Sequence, residues 1–146
     1  MRIVLDTSVA VAWYLNESGC EAARKWQTEC LAGHIDVLVP TLHYMEFANV
    51  LRTYVRRREC TAAQAEAIYE LHLGAPLTVV EPERESLLRT AFEYETTAYD
   101  AAYIQLALAS NAVLVTAERA TTPWVRKMGK QAVVVGENWG CCGPAK

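Results

Sequence analysis

Short runs of apolar residues alternate with longer segments of helical periodicity along the chain. The segment around 41–58 illustrates the helical spacing, with apolar side chains at Leu42, Met45, Val50 and Leu51. Strands that are apolar along their whole length are typical of parallel sheets covered by helices on both faces. The alternation therefore predicts an α/β domain, a three-layer α/β/α sandwich with a mostly parallel sheet. The predicted strands are 2–5, 36–40, 76–80, 112–116 and 131–135.

Capping signals divide the segments between the strands into helices. Thr7 or Ser8 can cap the first helix, and Gly33 is placed to end the second. Thr61 and Gln64 form the pattern of a capping box for the fourth helix. The predicted helices are 8–15, 19–32, 41–58, 61–73, 81–94, 100–110 and 122–128.

Length and composition favour one soluble domain. The chain has 146 residues, 52% of them apolar and 21% charged, which suits a single packed core over 1–136 with a C-terminal tail over 137–146. No apolar run approaches the ~20 residues that cross a bilayer, and the N-terminus lacks the apolar region of a signal peptide. We therefore expect a cytoplasmic protein that does not contact a membrane.

Charge and cysteine content argue against two kinds of binding, the electrostatic coating of a nucleic acid and a cysteine zinc site. The net charge of −3 argues against electrostatic coating of a nucleic acid, although a local basic groove stays possible. The five cysteines form no C-x-x-C pair, so they lack the spacing of a zinc site. We expect reduced, structural thiols, with Cys141 and Cys142 in the Gly-rich tail.

Four acidic residues, far apart in the chain, lie at the ends of predicted strands or at the beginnings of predicted helices. Asp6 and Glu118 directly follow predicted strands, and Glu46 and Asp100 lie early in predicted helices. Ligands bind beyond the carboxyl ends of the strands in an open parallel sheet, so the four carboxylates can converge there. Crowded carboxylates repel one another unless a cation neutralises them, and Mg²⁺ prefers oxygen ligands. The pattern predicts metal-dependent phosphodiester chemistry.

These motifs together resemble the PIN-domain family, and most of all the VapC-type ribonuclease toxins of prokaryotic toxin–antitoxin pairs. The resemblance rests on D-T-S after the first strand, the acid of the third helix, Y-D-A-x-Y, and L-V-T-x-acid, and it covers Met1 to about Val135. It implies that Asp6, Glu46 and Asp100 hold Mg²⁺ or Mn²⁺. It also implies an endoribonuclease that cleaves RNA, forms a homodimer and is silenced by a small antitoxin protein.

The fourth acid departs from the family pattern. Glu118 stands where the family most often has aspartate, and its longer side chain could reach a metal directly or through water, or could weaken the second metal position. Ser8 and Thr116 match hydroxyl residues that support the acidic site in the family. Both hydroxyls could equally cap backbone amides.

Polar residues along the third helix are candidates for supporting roles. Asn49 lies one turn after Glu46 and could face the same site, although an exposed amide is an equally good interpretation. Arg52 and Arg56 lie near the end of the helix, where they either favour the helix dipole or contact RNA phosphates.

The sequence also allows two other interpretations of its function. A non-catalytic PIN-like module that binds RNA or protein is the main alternative to the nuclease. A phosphoryl-transfer receiver or phosphatase fits poorly, because Thr7 and Ser8, rather than a second acid, follow Asp6. His34, His43 and His72 show no ligand spacing and are assigned no catalytic role, so a metal-bound hydroxide is the expected nucleophile.

Overall fold

The computed structural model describes residues 1–16 and 20–135. Five strands and seven α-helices lie within these residues, and a single 3₁₀ turn, Gly129–Gln131, precedes the last strand. The strands are β1 (Arg2–Leu5), β2 (Asp36–Pro40), β3 (Leu77–Val80), β4 (Val113–Thr116) and β5 (Ala132–Val134). The helices are α1 (Thr7–Ala12), α2 (Cys20–Leu31), α3 (His43–Arg56), α4 (Ala62–Leu73), α5 (Arg84–Glu93), α6 (Ala98–Ala109) and α7 (Pro123–Met128).

The strands form one sheet in the order β3-β2-β1-β4-β5, and every neighbouring pair is parallel. The first strand of the chain therefore lies in the middle, with Val4 opposite Leu38 on one side and Leu114 on the other. The strands β2 and β3 extend the sheet on one side of β1, and β4 and β5 extend it on the other. A crevice opens at such a reversal, beyond the carboxyl ends of the two strands that flank it, here β1 and β4.

Side chains alternate across the sheet and pack into two cores. Ile3 and Leu5 of β1 face the core that α1, α2, α3 and α4 cover, whereas Val4 faces the core under α6 and α7. The helix α5 packs against α6. Because the sheet is covered on both faces, its strands are apolar throughout, and the predicted three-layer architecture is confirmed.

The start of α1 differs from the prediction. The helix spans Thr7–Ala12 instead of 8–15, and Asp6 occupies the N-cap position without a hydrogen bond from its side chain to a backbone N–H of the helix. Neither Thr7 nor Ser8 caps it, so that prediction is wrong. The Thr7 hydroxyl instead contacts Tyr103, and the Ser8 hydroxyl contacts Asp6.

Two later helix starts are also displaced. The helix α5 begins after Glu83 rather than at Glu81, and the Glu83 N–H donates to the side chain of Gln105. The helix α6 begins after Thr97, whose hydroxyl accepts from the Asp100 N–H at 3.1 Å, so Asp100 lies inside the first turn. Gln105 lies far from Glu83 in the sequence, and Thr97 is one of several residues that could cap α6. Neither helix start is therefore evident from the sequence.

Other local predictions are confirmed. Thr61 and Gln64 form the capping box of α4, and Gly33 follows the end of α2 with a φ of 75°. In the part of the chain that is described, no helix is long and apolar enough to cross a membrane. Cys20, Cys30 and Cys60 are free thiols. The predicted tail, with Cys141 and Cys142, and the first residue of the predicted helix 19–32 lie outside the described residues.

Candidate active site

Asp6 lies at the seam between the two central strands. Its N–H donates to the Val115 carbonyl at 3.0 Å, which joins the end of β1 to β4. Its carboxylate oxygen Oδ2 accepts hydrogen bonds from the hydroxyl of Thr116 at 2.7 Å and from that of Ser8 at 3.1 Å. The side chain is therefore fixed at the carboxyl edge of the sheet, in the crevice between β1 and β4.

The environment of Asp6 makes its ionisation unfavourable. Burial is the largest cause and raises the pKa of this carboxyl from 3.8 to about 6. The hydrogen bonds from Thr116 and Ser8 lower the pKa in part, while the charges of Asp100 and Glu46 raise it. The structure thus brings three of the four predicted acids within electrostatic range of one another.

Glu46 lies in the first turn of α3 and is half-buried. Its Oε1 atom accepts hydrogen bonds from the Tyr103 hydroxyl at 2.7 Å and from the Thr7 hydroxyl at 3.1 Å. Burial raises the pKa of Glu46, the two hydroxyl hydrogen bonds lower it, and the charge of Asp100 raises it. One oxygen of this carboxylate is therefore held by two neighbouring elements, α1 and α6.

Asp100 is fixed by the N-terminal turn of α6. Its N–H is capped by Thr97, and its Oδ2 accepts a hydrogen bond from the Thr96 hydroxyl at 2.8 Å. Because a helix N-terminus carries partial positive charge, this position favours a carboxylate.

Glu118 is placed differently from the other three acids. It is exposed in the connection after β4, and its N–H donates to the Thr116 hydroxyl at 3.1 Å. Its carboxylate accepts a hydrogen bond from Thr122, the N-cap residue of α7, at 3.3 Å. The backbone of Glu118 is thus linked to Asp6 through the Thr116 hydroxyl, whereas the carboxylate of Glu118 contacts Thr122 at the start of α7.

The donor set suits a hard divalent cation. Asp6, Glu46 and Asp100 each use one oxygen in the hydrogen bonds above, and among residues 1–16 and 20–135 no hydrogen bond engages the other oxygen. Mg²⁺ prefers oxygen ligands and keeps several waters. Within the same residues, however, no three His, Cys, Asp or Glu side chains are grouped closely enough to hold a metal ion together. The trio would hold Mg²⁺ as an open set of oxygen ligands that leaves positions for water, and it is not a closed cage.

The candidate supporting residues on α3 are exposed. Asn49, Arg52 and Arg56 all face solvent, and among the described residues none of their side chains contacts the three acids. Arg52 lines a cavity of about 350 Å³ between α3 and α4, together with Glu66. The structure thus brings Ser8 and Thr116 to the acidic site but leaves the arginines outside it.

A buried hydrogen-bond network behind Glu46 was not predicted. His43 and His72 are fully buried, and their Nε2 atoms lie 2.9 Å apart. His43 Nδ1 lies 3.1 Å from the hydroxyl of Tyr103, which itself donates to Glu46. Two sequence signals were present, because Tyr103 belongs to Y-D-A-x-Y and His43 precedes Glu46 by three residues on the same helix face. His72 gave no signal, since it reaches the site from α4.

Comparisons with known proteins agree with this architecture. Residues 3–121 match the model of the PIN domain family. The protein PAE2754 from Pyrobaculum aerophilum has a similar structure, with a TM-score of 0.69, 26% sequence identity and 92% of each chain covered. No curated protein sequence matches significantly.

Two more distant structures share the fold. VapBC2 from Rickettsia felis, solved with a DNA fragment from its promoter, has a TM-score of 0.59 and 16% identity, covering 81% of this chain and 89% of that one. VapC20 from Mycobacterium tuberculosis, described as a sarcin–ricin loop cleaving toxin, has a TM-score of 0.54 and 18% identity, covering 75% and 84%.

The chain belongs to the PIN-domain family, since the family match covers most of its length. The resemblance inferred from the motifs is confirmed, and the similarity to the VapC structures extends it at the level of the fold.

Proposed function

We propose that this chain is a metal-dependent endoribonuclease that hydrolyses RNA phosphodiester bonds as the toxin of a VapBC-type pair. The observation that carries the proposal is the convergence of Asp6, Glu46 and Asp100, whose charges act on one another at the crevice of a PIN fold. A half-buried carboxylate whose pKa is raised by burial and, to a smaller extent, by like charges is typical of a site that a cation completes.

Each side chain has a definite part in this proposal. Asp6, Glu46 and Asp100 would hold Mg²⁺ or Mn²⁺, which when bound supplies an activated water and stabilises charge on the leaving oxygen. Thr116 and Ser8 hold the Asp6 carboxylate by donating to Oδ2, so that Oδ1 stays available. Desolvated carboxylates also bind a cation more strongly than solvated ones, because less water competes for it.

Glu118 has a secondary part. Its carboxylate contacts Thr122 and is exposed, so it would reach a metal ion through water or after a change of rotamer. Arg52 and Arg56 would contact RNA along the exposed face of α3. A homodimer, a small antitoxin protein as partner and a cytoplasmic location complete the proposal and follow from the VapC-type resemblance.

A non-catalytic PIN-like module that binds RNA or protein is the second candidate. Two observations favour it: no three ligands are already grouped for a metal within the described residues, and Glu118 contacts α7. Such a module would bind RNA with the same affinity whether or not divalent cations are present.

Cleavage of RNA by the purified protein tests these alternatives. We expect cleavage with Mg²⁺ or Mn²⁺ that EDTA stops and that Asp6→Asn or Asp100→Asn abolishes, while Glu118→Gln loses less. Glu85→Gln is the matched control, because Glu85 lies in the first turn of α5, as Asp100 does in that of α6, but Glu85 is exposed whereas Asp100 is half-buried. Cleavage that survives in Asp6→Asn and Asp100→Asn would refute the site, and RNA binding without cleavage would favour the module.

A further inference from the structure

A continuous chain of polar side chains, buried except at its two half-buried ends, runs from Glu46 to Tyr14, which lies just after the end of α1. Starting at the carboxylate, the contacts are Tyr103 O to Glu46 Oε1 at 2.7 Å, His43 Nδ1 to Tyr103 O at 3.1 Å, His43 Nε2 to His72 Nε2 at 2.9 Å, and His72 Nδ1 to Tyr14 O at 2.9 Å. The Thr7 hydroxyl joins the chain near Glu46, at 2.7 Å from Tyr103 O and 3.3 Å from His43 Nδ1.

The protons of two hydroxyls determine the direction of the chain at its Glu46 end. Thr7, Tyr103 and Glu46 form a triangle in which every oxygen lies within 3.1 Å of the other two. An ionised carboxylate only accepts, so one proton must lie between the two hydroxyls and the other must point to Glu46. Neither hydroxyl then has a proton left for His43. His43 must therefore carry its own proton on Nδ1 and donate to Tyr103 or Thr7.

The same reasoning passes along the two imidazoles. Burial lowers the pKa of His43 to about 3 and that of His72 to about 4, so each ring is neutral and carries one proton. With its proton on Nδ1, His43 accepts at Nε2, and His72 must donate from its own Nε2. His72 Nδ1 is then an acceptor, and it can receive a proton only from the Tyr14 hydroxyl.

We propose that Tyr14, His72 and His43 are positioning residues for Glu46, through a chain in which every donor points toward the carboxylate. In this chain one of the two hydroxyls, Tyr103 or Thr7, donates to Glu46 Oε1, the other hydroxyl donates to the first, and His43 takes neither proton. This orients the carboxylate and leaves its second oxygen, Oε2, for a cation. The catalytic consequence rests on the proposed nuclease function, whereas the direction of the chain does not.

Packing explains why the chain keeps one geometry. The His72 ring stacks on Phe47 with centroids 4.2 Å apart, and it meets Tyr14 edge-to-face at 5.4 Å. Neither imidazole has access to water that could replace a lost partner, since both are 0% exposed. A buried chain of polar groups is unfavourable when some of its hydrogen bonds are missing. The loss of one donor should therefore change the hydrogen bonding of the next residue in the chain.

The tautomers of the two histidines test the direction independently of any activity. Nitrogen-15 NMR of the metal-free protein at about pH 8 distinguishes protonated from unprotonated ring nitrogens. We expect the proton of His43 on Nδ1 and that of His72 on Nε2. In Tyr14→Phe the tautomers should stay the same, and the Nδ1 resonance of His72 should shift because this acceptor loses its hydrogen bond. The opposite pair of tautomers in the wild-type protein would overturn the proposal.

Cleavage kinetics test the effect on Glu46. We expect His72→Phe, which keeps an aromatic ring but removes the donor to His43, to lower kcat roughly 10-fold with little change in KM, as loss of an outer-shell partner typically does. His72→Gln should restore much of kcat, because its amide can donate at the Nε2 position. The control is Tyr44→Phe, since Tyr44 contacts both histidine rings and its hydroxyl has no hydrogen bond among the described residues.

These outcomes separate the two proposals. If His72→Phe and His72→Gln lose kcat equally, the effect is structural and the positioning role is wrong. If Tyr14→Phe has the same kcat and the same His72 Nδ1 resonance as Tyr44→Phe, Tyr14 is not part of the chain. If the protein cleaves no RNA but shows the expected tautomers, the nuclease proposal fails while the directed chain is retained.

Discussion

The acids at the carboxyl edge of the sheet combine two opposing influences. Burial and mutual repulsion raise the pKa of Asp6 and of Glu46, and hydroxyl groups that donate to one oxygen of each carboxylate lower it. The hydroxyls do not fully offset burial, since the pKa of Asp6 remains at about 6. Without a cation, the ionised site therefore destabilises the fold.

Asp6→Asn should stabilise the metal-free protein above pH 6. The folded pKa of Asp6 is raised, so its contribution to stability is present below the unfolded value of 3.8 and is lost as the pH rises through about 6. The displacement corresponds to on the order of 2–3 kcal/mol, and partial solvent screening reduces it. Urea unfolding in EDTA at pH 4 and pH 7.5 measures the difference. A gain that does not depend on pH would contradict the assigned environment of Asp6.

A divalent cation should make the wild type more stable than Asp6→Asn, the opposite of the order expected without metal. Mg²⁺ or Mn²⁺ that binds only the folded wild type stabilises it by mass action, by about 2.7 kcal/mol at 100 times the dissociation constant. Asp6→Asn should show much less stabilisation. Thermal unfolding with and without the cation is the measurement, and Glu85→Gln serves as the control. An equal increase of Tm in wild type and Asp6→Asn would place the cation elsewhere.

At the scale of elements, helix starts place the functional groups. Thr97 caps α6 and binds the N–H of Asp100, while Thr61 caps α4 by the same kind of hydrogen bond to Gln64. The two caps are chemically matched, but only the first lies beside a proposed metal ligand.

Removal of these two caps should have equal effects on stability and unequal effects on cleavage. Thr97→Ala and Thr61→Ala should each cost about 1 kcal/mol of unfolding free energy, as loss of an N-cap hydroxyl typically does. Only Thr97→Ala should also lower kcat, because the first turn that carries Asp100 frays. Urea unfolding and RNA cleavage measure the two effects. Equal loss of kcat in both variants would show that Asp100 does not depend on its cap.

The same elements show what the sequence can and cannot predict. Strand positions and the parallel sheet follow from short apolar runs, because a strand buried on both faces must be apolar throughout. The start of α1 does not, since Asp6, Thr7 and Ser8 all resemble caps and the hydroxyls of Thr7 and Ser8 contact Tyr103 and Asp6 instead. The start of α6 does not either, since the local cap Thr97 adjoins other residues that resemble caps. The approach of Asp6, Glu46 and Asp100 to one another could be predicted from their positions at a strand end and in the first turns of helices, whereas the contact of Glu118 with Thr122 could not. The role of His72 could not, because it depends on how α4 packs against α3.

At the scale of the whole molecule, the first strand organises the sheet. The strand β1 pairs with β2 and β4 on its two sides, and it ends at Asp6. Loss of packing here removes contacts on both sides, whereas β3 lies at the edge. The position of the acidic site in the crevice therefore depends on the central strand of the sheet.

Truncations in the central and edge strands should differ accordingly. Ile3→Ala should lower the unfolding free energy by roughly 2–5 kcal/mol, because Ile3 is fully buried and leaves a cavity. Val79→Ala in β3 should cost less than about 1 kcal/mol, since Val79 is 48% exposed. Chemical denaturation measures both. Similar losses in the two variants would contradict the central place of β1.

The central claim is that the three converging acids perform metal-dependent RNA cleavage. The most direct measurement is to induce wild type and Asp100→Asn in cells and to map new RNA ends across the transcriptome. We predict growth arrest with new ends at a small set of RNA sites for the wild type and neither effect for Asp100→Asn at equal protein level. New RNA ends that are the same in both, or that are absent in the wild type, would contradict the claim.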